Sequence, residues 1–156
     1  MMPRASRLTP HGFFITGTDT GVGKTLVACA LLHAFAARGL RVVGMKPVAA
    51  GAVVINGVRI NEDVEQLIAA SNVPAPRDMI NPYCFQPPIA PHIAAALENN
   101  PIRNNVLMDR QRRLSALADI VVVEGAGGFC VPLNDAETSA DLARDLALPE
   151  IGRAHV

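Results

Sequence analysis

An excess of charge of either sign is missing from this chain of 156 residues. Lys and Arg number 14, Asp and Glu number 14, and the formal net charge is zero. No block of basic residues occurs, which argues against a nucleic-acid surface. No apolar run approaches the length of a membrane span. Residues 1–12 carry Arg4 and Arg7 but no apolar stretch, so they read as a flexible extension and not a signal peptide. Cys29, Cys84 and Cys130 are far apart and form no Cys-x-x-Cys pair. They read as reduced thiols of a cytoplasmic protein. Internal repeats and low-complexity segments are absent. What remains is half apolar and only 18% charged, hence globular, and its length suits one domain at most.

The most informative stretch is Gly17-Thr18-Asp19-Thr20-Gly21-Val22-Gly23-Lys24-Thr25. It follows the apolar run Phe13-Phe14-Ile15 and opens a helical pattern from Leu26 to Arg38, with Gly39 as its stop. Strand, glycine-rich turn, Gly-Lys-Thr and helix together form the context of a phosphate loop. Backbone N–H groups at such a turn converge on one concavity and, with the helix dipole, favour a polyphosphate. Lys24 adds charge near the outer phosphates, and Thr25 offers a hydroxyl to Mg²⁺. One position departs from the usual spacing: Thr18 stands where a glycine is common, and Gly17 comes one residue early. An ordinary glycine-rich turn with a solvated lysine is the plain alternative.

Leu26, Ala30, Leu31 and Ala34 recur at helical spacing and are expected to form the buried face of that first helix. Arg41 to Met45 reads as a second strand, so a right-handed crossover and a parallel sheet follow. Lys46 then lies at the C-terminal end of that strand, the edge where open α/β sheets bind ligands. Asn56-Gly57 between β-branched residues predicts a hairpin over residues 53–60. Asn61 caps a helix from Glu62 to Ala70 with Val64, Leu67 and Ile68 inward. After a proline-rich loop, helices are expected over 93–97 and 105–117. The second buries Val106, Leu107, Leu114 and Leu117 and leaves Arg110, Arg112 and Arg113 on a solvated face. Asp119 to Glu124 is the clearest strand and runs into Gly125-Ala126-Gly127-Gly128. A helix over 140–148 follows. The pattern predicts an α/β, phosphate-loop NTPase-like three-layer sandwich with a mostly parallel sheet, incomplete at the C-terminus.

The last residues break this pattern. A further apolar strand is due, but Glu150-Ile151-Gly152-Arg153-Ala154-His155-Val156 appears instead. One back-translation, GAGATCGGAAGAGCACACGTC, matches a widely used sequencing adapter in all but its first base, and the adapter's next in-frame codon is a stop. Residues 150–156 are therefore expected to be non-native read-through, leaving 13–149 as the N-terminal part of a single ATP-binding domain.

The phosphate loop, Lys46, Asp63 and Glu124 are expected at one sheet edge. A carboxylate at the end of a neighbouring strand is what phosphate-loop chemistry needs beside Mg²⁺. The sequence Phe14 to Thr25 resembles the ATP loop of dethiobiotin synthetases, Gly-Thr-Asp-Thr-x-Val-Gly-Lys-Thr, which departs from the common spacing in the same way. Gly44 to Ala49, Asn81-Pro82-Tyr83, Pro91-His92-Ile93, Val123 to Gly128 and Val131-Pro132-Leu133 resemble further segments of that family, in order. The resemblance implies an ATP- and Mg²⁺-dependent ligase of biotin biosynthesis, acting on 7,8-diaminononanoate and CO₂ as a cytoplasmic homodimer. It implies that Gly21, Val22, Gly23, Lys24, Thr25 and Leu26 hold the ATP phosphates, and that Thr25, Asp63 and Glu124 bind the metal. Lys46 would be the catalytic cation, with Lys24 and Thr20 near the reacting groups. Glu124, Gly125, Ala126 and Gly127 would flank nucleotide and substrate. Ala50 stands where the family commonly has a serine, so one substrate-facing hydroxyl is missing. The resemblance also implies that strands, an adenine-recognition segment and C-terminal helices lie beyond this sequence. A related amidotransferase-type ligase of corrinoid synthesis, a partitioning-type ATPase and a plain nucleotide-binding module stay as alternatives.

Overall fold

The computed structural model describes residues 11–154. The extension expected over residues 1–12 lies almost wholly outside them, and Gly12 already belongs to the first strand. The strands are β1 (Gly12–Gly17), β2 (Val42–Met45), β3 (Val48–Ala49), β4 (Val53–Ile55), β5 (Val58–Ile60), β6 (Tyr83–Cys84), β7 (Ile120–Glu124) and β8 (Glu150–Arg153). The helices are α1 (Lys24–Ala36), α2 (Glu62–Ala70), α3 (Arg77–Ile80), α4 (Pro91–Leu97), α5 (Asn104–Leu117) and α6 (Ser139–Leu146). Among the described residues no helix is long and apolar enough to cross a membrane.

The main sheet is parallel in the order β2-β7-β1-β8. Its strands bury both faces, so the sequence shows apolar runs without alternation. Alternate residues nonetheless enter two separate cores. Phe14, Val43, Met45, Val121 and Val123 pack on one face with Leu107 and Leu114 of α5 and Leu142 of α6. Ile15, Val42, Ile120 and Val122 pack on the other with Ala28 and Leu32 of α1 and Leu67 of α2. Helices on both faces of a parallel sheet make the three-layer sandwich expected from the pattern.

The hairpin forms as Asn56-Gly57 predicts. β4 and β5 pair antiparallel, with Asn56 at φ 50° and Gly57 at φ 77°. Asn61 caps α2, its side chain accepting from the N–H groups of Asp63 and Val64. The buried face of α1 differs from expectation. Leu26 is 71% exposed, whereas Ala28 and Leu32 are fully buried. That helix is apolar nearly all round, so spacing alone does not select a face. Leu117 on α5 is also exposed, because the helix ends there and turns into β7. Arg110, Arg112 and Arg113 are not merely solvated, since all three pair with Asp109.

Two features were absent from the expected pattern. The short parallel pair β3–β6 and the single turn α3 organise the proline-rich segment. At the chain's end, β8 forms although no apolar run announces it. The edge of β1 offers backbone groups that any sequence can satisfy: Phe14 N–H donates to Pro149 O and Thr18 N–H to Arg153 O, both at 2.9 Å. The β8 side chains stay largely exposed.

Gly44 of β2 sets how closely the second layer approaches. A methyl group there would lie 2.9 Å from Cβ of Leu67. We expect Gly44→Ala to lower stability by about 1–3 kcal/mol, read from the denaturant midpoint, because Leu67 Cβ is fixed by its helix. At α6, the Thr138 N–H and hydroxyl both donate to Asp141 at 2.8 Å. These bonds hold the Asp141 carboxyl below its ordinary value of 3.8. Its contribution to stability is therefore complete above that pH and lost as pH falls through the lower folded value. Asp141→Asn should flatten this part of the acid limb in a pH series of thermal melts.

Candidate functional site

β1 ends at Gly17, and residues 18–23 arch over to the first turn of α1. Gly21 at φ 77° and Gly23 at φ 93° take left-handed conformations that side chains rarely adopt. Gly17 is required for a different reason. A Cβ there would lie 2.6 Å from the Val22 side chain and 3.4 Å from Cδ of Lys24. Thr18 is exposed and carries its side chain without conflict. This accounts for the displaced glycine: the close approach is at position 17. The Lys24 ammonium donates to Asp19 O at 2.6 Å and closes the loop on itself.

The C-terminal ends of β2 and β7 bring the remaining groups. Glu124, 1% exposed, is the last residue of β7. Lys46 follows β2 and is 5% exposed. Its ammonium donates to Glu124 Oε1 at 2.9 Å and lies 2.8 Å from Asp63 Oδ2. The Thr25 hydroxyl donates to the same Glu124 Oε1 at 2.8 Å. Glu124 Oε2 is buried and has no hydrogen-bond partner among the described residues. Thr25, Lys46, Asp63 and Glu124 thus meet in one cluster, with Lys24 beside it.

The electrostatics follow from this crowding. Burial, then the neighbouring Lys46, pushes the Lys24 ammonium below its ordinary value. Burial also works against the charge on Lys46, but the Glu124 and Asp63 carboxylates outweigh it and hold it above its ordinary value. Asp63 is half-buried, which opposes its charge, yet Lys46 keeps its carboxyl below the usual value.

Several supports escaped the sequence reading. Asn81 is buried and donates to Lys46 O at 2.7 Å and to Tyr83 O at 3.0 Å. Lys46 N–H donates to Ile80 O. These bonds pin the backbone from which the Lys46 stem extends. A buried asparagine beside a proline could have hinted at this, but nothing in its spacing names the partner. The Asn61 cap also donates to Ala50 O at 3.2 Å, tying the start of Asp63's helix to the loop after β3. Thr20 is exposed on the phosphate loop, and its N–H donates to Asp19 Oδ1. Leu26 presents an exposed side chain. The Gly125 N–H is already committed to Ile15 O at 2.9 Å. Ala126 and Gly127 continue the second glycine loop. That loop reaches the first: a Cβ on Gly128 would lie 3.3 Å from Thr18 O.

A protein-family model described as an AAA domain matches residues 11–151. The chain belongs to this family. Among curated relatives, the ATP-dependent dethiobiotin synthetase BioD of Nitrosospira multiformis is 59% identical over 137 residues, covering 88% of this chain and 59% of that protein. The protein of the same name from Aromatoleum aromaticum is 54% identical over 142 residues, covering 91% of this chain and 63% of that protein. The chain spans about six-tenths of the length of these relatives. Its share of the AAA domain includes the phosphate loop and every residue of the charged cluster.

Gly17→Ala should weaken binding of a fluorescent ATP analogue by at least about tenfold, since the loop must open to admit the methyl group. Thr18→Ala should leave that affinity within about twofold. Equal affinities for the two variants would contradict the role given to Gly17.

Proposed function

We propose that the full-length protein is an ATP-dependent ligase that closes the ureido ring of dethiobiotin from 7,8-diaminononanoate and CO₂. The observation that carries this reading is the cluster of two ammonium groups, two carboxylates and a hydroxyl beside a phosphate loop. The names of the two relatives support the particular reaction. The family resemblance supports a cytoplasmic homodimer.

The residue types suit Mg²⁺. Thr25, Asp63 and Glu124 offer hard oxygen donors, and the unpartnered, buried Glu124 Oε2 is a carboxylate oxygen with a lone pair to give. Among the described residues no cluster of three or more His, Cys, Asp or Glu is suited to hold a metal. Magnesium takes one or two carboxylates and relies on phosphates and water for the rest. Bound there, the ion would neutralise charge on the nucleotide phosphates.

The reaction needs no protein nucleophile. One substrate amine adds to CO₂ and releases a proton, giving a carbamate. A carbamate oxygen attacks the γ-phosphate, and ADP leaves. The second amine attacks the carbamoyl carbon, and phosphate leaves as the ring closes. The carbamate and the ATP phosphates, both anionic, must come together, so the protein's task is to position them and supply positive charge. Lys24 and the loop amides face the phosphates. Lys46 provides the ammonium for the carbamate and the transferred phosphoryl group, and Asn81 holds its backbone in place. Thr20, exposed on the loop, would lie near the same reacting groups. Ala126 and Gly127 shape the opposite wall.

The deciding experiment is to supply the full-length protein with 7,8-diaminononanoate, CO₂ and ATP and to measure dethiobiotin. Ring closure should be detected, and it should fall by about 10²-fold or more in Lys46→Ala and in Glu124→Ala. Nucleotide binding without any dethiobiotin would favour a plain binding module and overturn the ligase reading.

A further inference from the structure

The two carboxylates read above as metal ligands already hold a cation that is covalently part of the chain. Lys46 Nζ sits between Asp63 Oδ2 at 2.8 Å and Glu124 Oε1 at 2.9 Å. Its side chain is 6% exposed and that of Glu124 1%. Neither group has water to replace the other, and a buried carboxylate without a counter-charge is strongly disfavoured. Glu124 Oε1 also accepts the Thr25 hydroxyl, so this oxygen has two donors while Oε2 has none.

A divalent cation at the same carboxylates conflicts with this arrangement in two ways. It repels an ammonium a few ångströms away, with Glu124 and Lys46 both shielded from solvent. Glu124 Oε2 is open to it, but beyond that oxygen it competes for the Asp63 Oδ2 that Lys46 now holds and for the Thr25 hydroxyl, which must turn its proton elsewhere. Lys24 cannot take the place of Lys46, because Asp19 O already holds it. We propose that Lys46 is a tethered counter-ion, which a divalent cation must displace from Asp63 and Glu124 on binding. The displacement is local. The Lys46 backbone is fixed by Ile80 O and Asn81 Nδ2, so only the flexible stem swings. The freed ammonium then faces the side where the anions of the reaction gather. That last consequence rests on the ligase reading, but the exchange itself does not.

The sequence makes the exchange easy to follow, because Lys24 and Lys46 are its only lysines. Mn²⁺ alone, without nucleotide or substrate, would be titrated into the wild-type chain and Lys46→Met, with free Mn²⁺ followed by electron paramagnetic resonance. The variant should bind Mn²⁺ at least about tenfold more tightly, as expected when a close like charge is removed. Equal or weaker binding by a folded Lys46→Met would overturn the proposal. A second measurement uses only the wild type. Its amines are acetylated with and without Mn²⁺, and labelling at Lys46 is read by mass spectrometry relative to the N-terminal amine. Mn²⁺ should raise Lys46 labelling at least about threefold, since a side chain released from two carboxylates loses the cover that now keeps it 6% exposed. Unchanged or reduced labelling would overturn the exchange even if the variant fails to fold. A protein that makes no dethiobiotin can still pass both tests, and one that makes it can fail them.

Discussion

A carboxylate at the end of a fully buried strand needs a positive partner, and this need organises the molecule. β7 contributes Ile120 to Val123 wholly to the core and then ends in Glu124, which is just as buried. Ion pairs in such places are weak sources of stability, because the desolvation of both partners offsets their attraction. Losing either partner is costly, however. Glu124 therefore ties the position of Lys46, the register of β2 against β7 and the first turn of α1, through Thr25, to one point. Nothing about packing alone calls for a glutamate there. Its presence is best understood as a demand of function met by the surrounding electrostatics.

Much of this was legible in the chain. Phe13 to Thr25 reads as strand, turn and helix because its apolar run, its glycines and its Lys-Thr pair all point the same way. The Asn56-Gly57 hairpin and the Asn61 cap were equally clear, since each depends on chemistry within four residues. The inward face of α1 was not. With Leu26, Val27, Leu31 and Leu32 on several sides of the helix, the decision falls to the neighbouring layer, where Leu67 and Ile120 receive Ala28 and Leu32. The same holds for Asn81. Its role comes from Lys46, 35 positions earlier, and such a partner has no local signature. Likewise β8 forms because β1 presents an open edge, a property of the partner and not of residues 150–153.

The displaced glycine of the phosphate loop shows how local geometry can reverse a first impression. Counted by spacing, Thr18 is a defect. Counted by contacts, Gly17 is the residue with no room, because Val22 and Lys24 fold back over it. The loop is drawn in at its base and open at Thr18, whose carbonyl then meets Gly128 of the second glycine loop. Two glycine-rich turns from distant parts of the sequence thus face each other with little between them. A backbone-to-backbone approach of this kind leaves little room for a side chain at Gly128, so it couples the two loops.

The order of strands explains why chemistry from so many segments converges. β2, β7 and β1 lie side by side and parallel, so their C-terminal ends share one edge. Neighbouring strands stand about 4.8 Å apart. Lys46, Glu124 and the phosphate loop are therefore a few ångströms from one another by construction, although Lys46 and Glu124 are 78 positions apart in the chain. Asp63 comes from outside the sheet, delivered by a helix whose capping asparagine is itself bonded to Ala50, just beyond β3. A fold that places three strand ends in a row needs only one side chain from each to assemble a charged site. The sequence between them is free to serve packing, which is why the residues that build the site are few and those that build the core are many.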